Sequence, residues 1–198
     1  MIEVLGEKVK EFKHWIFPGG EVGVKIDLQD STGTIWIRWK IENKSSLHQE
    51  FFIVANTVDA IRRQTKDVRI VLDIPYMPYA RQDRVCNSGE SHALAVFENM
   101  LLSLAVDNIM VCDLHSKNNK LSYRESVTIF PQSVCAAKYN FSEYDFVVAP
   151  DAGAKEKAAA FKNMNTENCF LVTMEKVRKD GKVIHEPLYP MKSPAYVS

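Results

Sequence analysis

Short apolar runs in this chain alternate with stretches of helical periodicity, and that alternation leaves few folds open to it. Val68-Arg69-Ile70-Val71-Leu72-Asp73 is a nearly continuous apolar run of strand length, the pattern of a buried strand. Before it, Leu47, Phe51, Val54, Val58 and Ile61 recur at helical spacing and predict a helix over 46–63. After it, Ala93, Phe97, Met100, Leu101 and Leu104 predict a second helix over 91–106. Strands follow at Asn108–Cys112 and Val127–Phe130, with a short helix after Pro131. A further strand at Phe146–Ala149, a helix over 154–163 and a strand at Phe170–Met174 repeat the order. Strands and helices in this β-α-β-α-β succession predict an α/β fold, with a mainly parallel sheet covered by helices.

The first forty residues read as β-rich. Val22–Leu28 and Thr34–Lys40 each alternate apolar and polar residues, and the turn cluster Gln29-Asp30-Ser31-Thr32-Gly33 between them predicts a hairpin. Asp30-Ser31-Thr32-Gly33-Thr34 has the letters of a sugar-phosphate loop. It lies in that turn and not between a parallel strand and a helix, so it is read as a turn. A domain boundary is expected near Asn140–Glu143, giving domains over 1–141 and 142–198.

Composition narrows the partners. Twenty-five basic residues balance 25 acidic ones over 198 residues, so no basic excess points to a nucleic acid. No apolar run reaches membrane-spanning length. Met1-Ile2-Glu3-Val4-Leu5-Gly6-Glu7 lacks the features of a signal peptide. Cys86, Cys112, Cys135 and Cys169 are widely spaced with no C-x-x-C, the usage of reduced thiols in a cytoplasmic protein.

The densest functional signal is Ile74-Pro75-Tyr76-Met77-Pro78-Tyr79-Ala80-Arg81-Gln82-Asp83-Arg84. Two prolines stop the buried strand and stiffen its exit. Arg81, Gln82, Asp83 and Arg84 then stand just past the carboxyl end of a strand, where open α/β sheets bind ligands. Guanidiniums suit phosphate, and Gln and Asp hydrogen-bond a base or sugar edge. A charged tetrapeptide is more often a plain surface loop, and the Pro-Tyr-x-Pro-Tyr-Ala lead-in is what argues against that here.

Three further clusters carry chemistry. Asp113 and His115, two apart at a strand end, can orient a hydrated divalent ion, although D-x-H alone is more often a hydrogen-bonded loop. Asp151-Ala152-Gly153-Ala154 joins a buried strand to a helix. Its small side chains let backbone N–H groups approach a phosphate at a helix start, and it reads equally well as a tight turn. Glu175-Lys176-Val177-Arg178-Lys179-Asp180-Gly181-Lys182 holds four cations in seven residues. It reads as an exposed hairpin tip, or as a basic flap closing over a polyphosphate.

In this order the segments resemble ribose-phosphate diphosphokinases (phosphoribosyl pyrophosphate synthetases), over the amino-terminal two-thirds of that family. The resemblance rests on P-Y-x-P-Y-A-R-Q-D, D-L-H-S, V-V-A-P-D-A-G and K-x-R. It implies a fold of the type I phosphoribosyltransferase kind. It also implies transfer of the β,γ-diphosphoryl group of ATP to ribose 5-phosphate with Mg²⁺, in nucleotide biosynthesis. By resemblance Arg81 and Gln82 bind ATP, with Asp83 and Arg84 in the same loop. His115 and Asp151 match metal-site positions, with Asp113 beside them. Asp151, Ala152, Gly153 and Ala154 form the diphosphate loop, and Lys176 and Arg178 match the catalytic-flap pair. Phe17-Pro18-Gly19-Gly20-Glu21 resembles a segment reaching a neighbouring subunit's adenine, where Phe17 stacks and Glu21 accepts, which implies a homo-oligomer.

Departures are plain. Val85 and Cys86 follow Arg84 where more basic residues are common, and Ala154 replaces a second glycine. A D-D-x-x-x-T-x-G-T-like sugar-phosphate loop is not among the 198 residues. The expectation is therefore a shortened or split diphosphokinase whose chain alone makes little product and is complemented by another subunit. The alternative is a non-catalytic ATP-binding or regulatory homologue that assembles with a complete subunit. An acceptor other than ribose 5-phosphate, such as ADP-ribose, keeps the same transfer chemistry.

Overall fold

The computed structural model describes residues 1–29, 32–42, 46–112, 114–115, 126–129, 146–165, 170–179 and 182–187. For 126–129, 165, 177–179, 182–183 and 185–187 it describes the backbone alone. Its contacts divide the chain into two units, Met1–Ile129 and Phe130–Ser198. The boundary expected near 140–143 and the helix expected after Pro131 lie outside the described residues.

The first unit is built on a five-stranded sheet. Its strands are β1 (Ile2–Leu5), β4 (Thr34–Trp39), β5 (Arg69–Ile74), β6 (Asn108–Cys112) and β7 (Ser126–Ile129), side by side in that order. β1 runs antiparallel to β4, and β4 to β7 are parallel. Helix α1 (Leu47–Gln64) links β4 to β5, and α2 (Ala93–Leu102) lies between β5 and β6. The parallel α/β core read from the alternation is therefore present. Ile35, Ile37 and Trp39 on β4, Ile70, Leu72 and Ile74 on β5, and Ile109 and Val111 on β6 are buried on one face. Phe51, Val54, Val58 and Ile61 of α1 and Leu94, Phe97 and Leu101 of α2 complete the same core. The 3.6-residue and two-residue periods of the sequence converge on one apolar layer.

One expectation fails. Val22–Leu28 and Thr34–Trp39 do not form a hairpin. β3 (Val22–Leu28) pairs instead with β2 (Val9–Ile16), in a separate two-stranded ribbon. The reason is where each strand buries its apolar face. β4 is apolar on alternate residues that belong in the central sheet. β3 lies along α1, where Asn56 donates to the Val22 carbonyl at 3.3 Å and Gln64 to the Ile26 carbonyl at 3.1 Å. Thr32 and Gly33 lead straight into β4, so the D-x-T-G-T letters precede a strand and not a helix. Helix α2 also ends earlier than expected. Ser103 turns its hydroxyl onto the Met100 carbonyl at 2.7 Å, and Ala105 takes a left-handed φ of 53°.

In the second unit β8 (Phe146–Ala149) pairs parallel with β9 (Phe170–Lys179), which pairs antiparallel with β10 (Lys182–Pro187). A 3₁₀ turn (Ala152–Ala154) and helix α3 (Lys155–Asn165) connect β8 to β9. β9 runs past the predicted Met174 because its second half pairs with β10. Lys179 faces Lys182 across the ladder.

Candidate functional site

The Pro-Tyr loop is anchored by what it buries. It leaves the carboxyl end of β5, whose Ile74 is fully buried. Met77, Pro78 and Ala80 then turn inward, while Arg81, Gln82 and Arg84 are exposed and Asp83 is half-buried. The Ala80 amide donates to the Met77 carbonyl at 3.4 Å, with Pro78 second and Tyr79 third in the turn. That is the order of a type II turn, where proline sets the second position and the third needs positive φ. Tyr79 supplies it at 60°, a backbone state that costs a bulky residue about 1–3 kcal/mol.

Neighbours over-determine that strain. The Tyr79 hydroxyl lies 2.6 Å from His48 Nε2, their rings stack at 6.4 Å, and Phe97 sits 5.3 Å away. The Gln82 amide donates to the Tyr79 carbonyl at 2.8 Å, and the Leu94 amide donates to the Gln82 carbonyl at 3.3 Å. The loop is thereby tied to both α1 and α2. Among the described residues, none pairs with the Arg81 or Arg84 guanidinium. Downstream, the Glu90 carboxylate accepts from the Asn87 side chain at 2.6 Å and from the Asn87 and Cys86 amides at 3.0 and 3.1 Å. Those bonds hold Glu90 below the usual carboxylate range, the Asn87 side chain contributing most. On α2, burial pushes the Glu98 carboxyl up, partly offset by His92. Cys86 and Cys112 stand outside any disulfide, and Cys135 and Cys169 lie outside the described residues.

Phe17-Pro18-Gly19-Gly20-Glu21 forms the tip of the β2–β3 ribbon. The Phe17 amide donates to the Glu21 carbonyl and the Gly20 amide to the Phe17 carbonyl, both at 2.8 Å. Gly20 has φ of 92°, a conformation that costs glycine little. Phe17 is exposed and meets Trp15 edge-on at 5.9 Å. Glu21 lines a cavity of about 560 Å³ whose other wall is His48, Gln49, Phe52 and Asn56 of α1.

In the second unit the structure brings two expected residues together. Asp151 follows β8 in extended conformation and caps the 3₁₀ turn: its Oδ1 accepts from the Ala154 amide at 3.0 Å. An aspartate there satisfies an orphan N–H and suits the positive end of the helix. Its Oδ2 lies 3.9 Å from Lys176 Nζ, reaching over from β9. So long and half-exposed an ion pair is weakly held. Arg178 stands two residues on, opposite Val183 in the ladder. Its side chain lies outside the described residues, as does Asp113.

His115 is exposed and belongs to the first unit. Among the described residues no group of three His, Cys, Asp or Glu forms a ready cage for a metal. Mg²⁺ needs none, since it takes one or two carboxylates and completes its shell with water and substrate phosphates. Asp151, with one oxygen committed to capping and the other turned toward Lys176, fits such a role. No helix among the described residues is long and apolar enough to cross a membrane.

His48 and Glu90 escaped the sequence reading. His48 is 31 residues from Tyr79, and nothing local announces the pair. Glu90 had a signal, since Asn-x-x-Glu is the spacing of a side-chain clasp.

No family model matches the chain. It is 26% identical over 186 residues to a ribose-phosphate pyrophosphokinase from Sulfurisphaera tokodaii, covering 91% of this chain and 62% of that one. A ribose-phosphate pyrophosphokinase from Saccharolobus solfataricus is 24% identical, with the same coverage. A chloroplastic ribose-phosphate pyrophosphokinase of Arabidopsis thaliana is 35% identical over 109 residues, 52% of this chain and 27% of that protein. The crystal structure of phosphoribosylpyrophosphate synthetase from Mycobacterium smegmatis superposes with a TM-score of 0.68 at 21% identity. It matches 88% of this chain and 58% of its own. The chain spans 62% of the length of the first two relatives. It resembles ribose-phosphate pyrophosphokinases over nine-tenths of its own length, and its fold is that of phosphoribosylpyrophosphate synthetase.

Proposed function

We propose that this chain carries the nucleotide-binding and transfer groups of a ribose-phosphate diphosphokinase. In that reaction ATP gives its β,γ-diphosphoryl group to the anomeric hydroxyl of ribose 5-phosphate. The observation that carries the reading is the Asp151–Lys176 pair at 3.9 Å. A carboxylate and an ammonium at a strand-to-helix turn can take a magnesium-bound polyphosphate between them. The exposed Arg81 and Gln82, on a loop pinned from below by Met77 and Ala80, support an ATP-binding role. Their relatives' names support the substrates.

In this reading the sugar oxygen attacks the β-phosphorus, the bond to the α-phosphate oxygen breaks, AMP leaves, and the hydroxyl proton passes to solvent. Lys176 and Arg178 neutralise charge growing on the transferring oxygens. Arg81, Gln82, Asp83 and Arg84 hold the nucleotide, and positioning supplies most of the remaining effect. Mg²⁺ held at Asp151, with His115 and Asp113 as further candidates, would screen the phosphate charge. Phe17 and Glu21 at the ribbon tip would meet the base held by a neighbouring copy, so the working form is a homo-oligomer.

The test is AMP release from ATP with ribose 5-phosphate and Mg²⁺. It is run on the chain alone and on the chain mixed with the unmatched portion of a ribose-phosphate pyrophosphokinase relative, beside calorimetry with Mg-ATP. Mg-ATP binding with AMP release in either arm supports the reading. Binding without release in both arms assigns the chain to a non-catalytic, regulatory role. Absence of binding overturns the proposal.

A further inference from the structure

Tyr79, His48 and the start of α2 close around a second cavity, of about 310 Å³, which the diphosphoryl-transfer reading does not use. Phe51, Phe52, Phe97 and Met100 are part of its wall. We infer that this cavity binds a neutral aromatic ring bearing one hydrogen-bonding group, and that its occupant acts on the Arg81–Gln82 loop through Tyr79.

The chemistry of the lining selects the ligand. The volume is that of a small-molecule pocket, apolar with few polar groups. Four aromatic side chains, Phe51, Phe52, Tyr79 and Phe97, offer faces and edges that favour a ring over an aliphatic chain. The polar side-chain groups are the His48 imidazole, the Tyr79 hydroxyl and the Ser91 hydroxyl, and the first two already bond each other at 2.6 Å. One handle on the ligand can therefore be satisfied. A nucleobase brings several polar edge atoms and would bury most of them unpaired. A charged ligand would lose its hydration without gaining an opposite charge, since no carboxylate, Lys or Arg lines the cavity among the described residues.

The same residues connect the cavity to the loop. Tyr79 is one wall, and it holds a positive φ that its His48 bond and Phe97 contact sustain. Its carbonyl accepts from the Gln82 amide, and the Gln82 carbonyl accepts from Leu94 at the start of α2, beside Ala93 of the lining. An occupant that fixes Tyr79 against α2 thereby fixes both backbone bonds of Gln82. Differential affinity for two loop arrangements is what coupling requires. The coupling to ATP rests on the reading of Arg81 and Gln82 as nucleotide-binding groups, whereas the cavity itself does not.

The experiment uses 5-fluoroindole as probe on the 198-residue chain. Fluorine NMR follows binding, and amide NMR follows Gln82 and Leu94. Saturable binding is expected, with shifts at both amides. It should weaken about tenfold or more in Met100→Trp, where the new ring fills the cavity, and likewise in Val96→Trp, on the exposed rim. Mg-ATP affinity should change by roughly fivefold or more when the probe saturates, with the reciprocal change in probe affinity. No saturable binding, undiminished binding in both folded Trp variants, or unmoved Gln82 and Leu94 amides would each overturn the proposal. So would simple displacement of the probe by Mg-ATP, which would make the cavity part of the nucleotide site. If the chain binds no Mg-ATP at all, the nucleotide reading fails, while the fluorine and amide signals still decide the cavity. Probe-dependent growth in solution mass, with binding abolished on dilution to monomer, would place a contact between copies there and likewise overturn it.

Discussion

The Pro-Tyr loop of the first unit and the Asp151–Lys176 turn of the second both follow the carboxyl end of a parallel strand, yet they rest on different foundations. β5 beneath the Pro-Tyr loop is flanked on both sides and buries Ile70, Leu72 and Ile74 in a core shared with two helices. β8 beneath Asp151 pairs with β9 alone among the described residues, and β9 gives its first half to β8 and its second to β10. Only Val147 and Ala149 are buried among the described residues of that unit, while Val148 is 52% exposed and Phe146 and Phe170 are exposed beside each other. The lesson is about preorganisation. The Pro-Tyr loop can hold a strained tyrosine because its surroundings fix it, whereas among the described residues fewer buried side chains lie under Asp151 and Lys176.

Stability should expose the contrast most strongly. Leu72→Ala opens a fully buried site between two strands and two helices, and a loss of about 2–5 kcal/mol is expected. Val147→Ala, on the thin sheet, should cost about 1 kcal/mol. All three tryptophans, Trp15, Trp36 and Trp39, lie in the first unit, so their fluorescence in a denaturant titration reports that unit. Hydrogen exchange at β8 amides reports the other. Equal losses from the two substitutions would erase the distinction.

The next effect in size concerns transfer. Lys176→Ala should lower the rate of AMP release about 10²–10³-fold, the scale for removing one group that meets developing charge. Mg-ATP affinity should fall much less. If affinity fell and rate held, Lys176 would be a ground-state binder. Arg81→Ala should show the opposite split: Mg-ATP binding weaker by about 1.5–3 kcal/mol by calorimetry, the worth of a charged hydrogen bond. Because Arg81 is exposed, its fold should be unchanged. Unchanged affinity would remove Arg81 from the site.

How far the sequence revealed these features follows from the range of the forces involved. Local periodicity found α1 within a residue of its ends and found β5, β6 and β8, since burial on one face writes itself into three or four consecutive choices. It misassigned the partner of β3, because alternation specifies a strand's two faces and not its neighbour. Trp39 donates to Glu50 at 2.7 Å, and Ser46 donates to the same carboxylate at 2.8 Å. No local pattern announced that knot at the start of α1. The placement of Arg81 and Asp151 past strand ends was legible because each follows a strand stop. His48 was not, because its meaning depends on Tyr79 arriving from across the fold.

The smallest effect concerns the far end of the Pro-Tyr loop. Glu90 clasps Cys86 and Asn87 through three hydrogen bonds, and these hold its folded-state pKa below the ordinary glutamate value. A carboxyl whose pKa is lower folded than unfolded binds fewer protons when folded. It therefore contributes stability above the unfolded pKa and loses it as pH falls through the folded one. The clasp should be intact at neutral pH and open below the usual carboxylate range. Hydrogen exchange at the Cys86 and Asn87 amides, corrected for intrinsic rates, should show protection falling with acidification. Glu90→Gln should flatten that dependence, because an amide does not titrate. The Gln82 amide, tied to Tyr79 and not to Glu90, should keep its protection over the same range. Parallel loss at Gln82 would mean that the loop opens as one piece, and the rigid foundation inferred beneath Arg81 and Gln82 would then stop at Ile74.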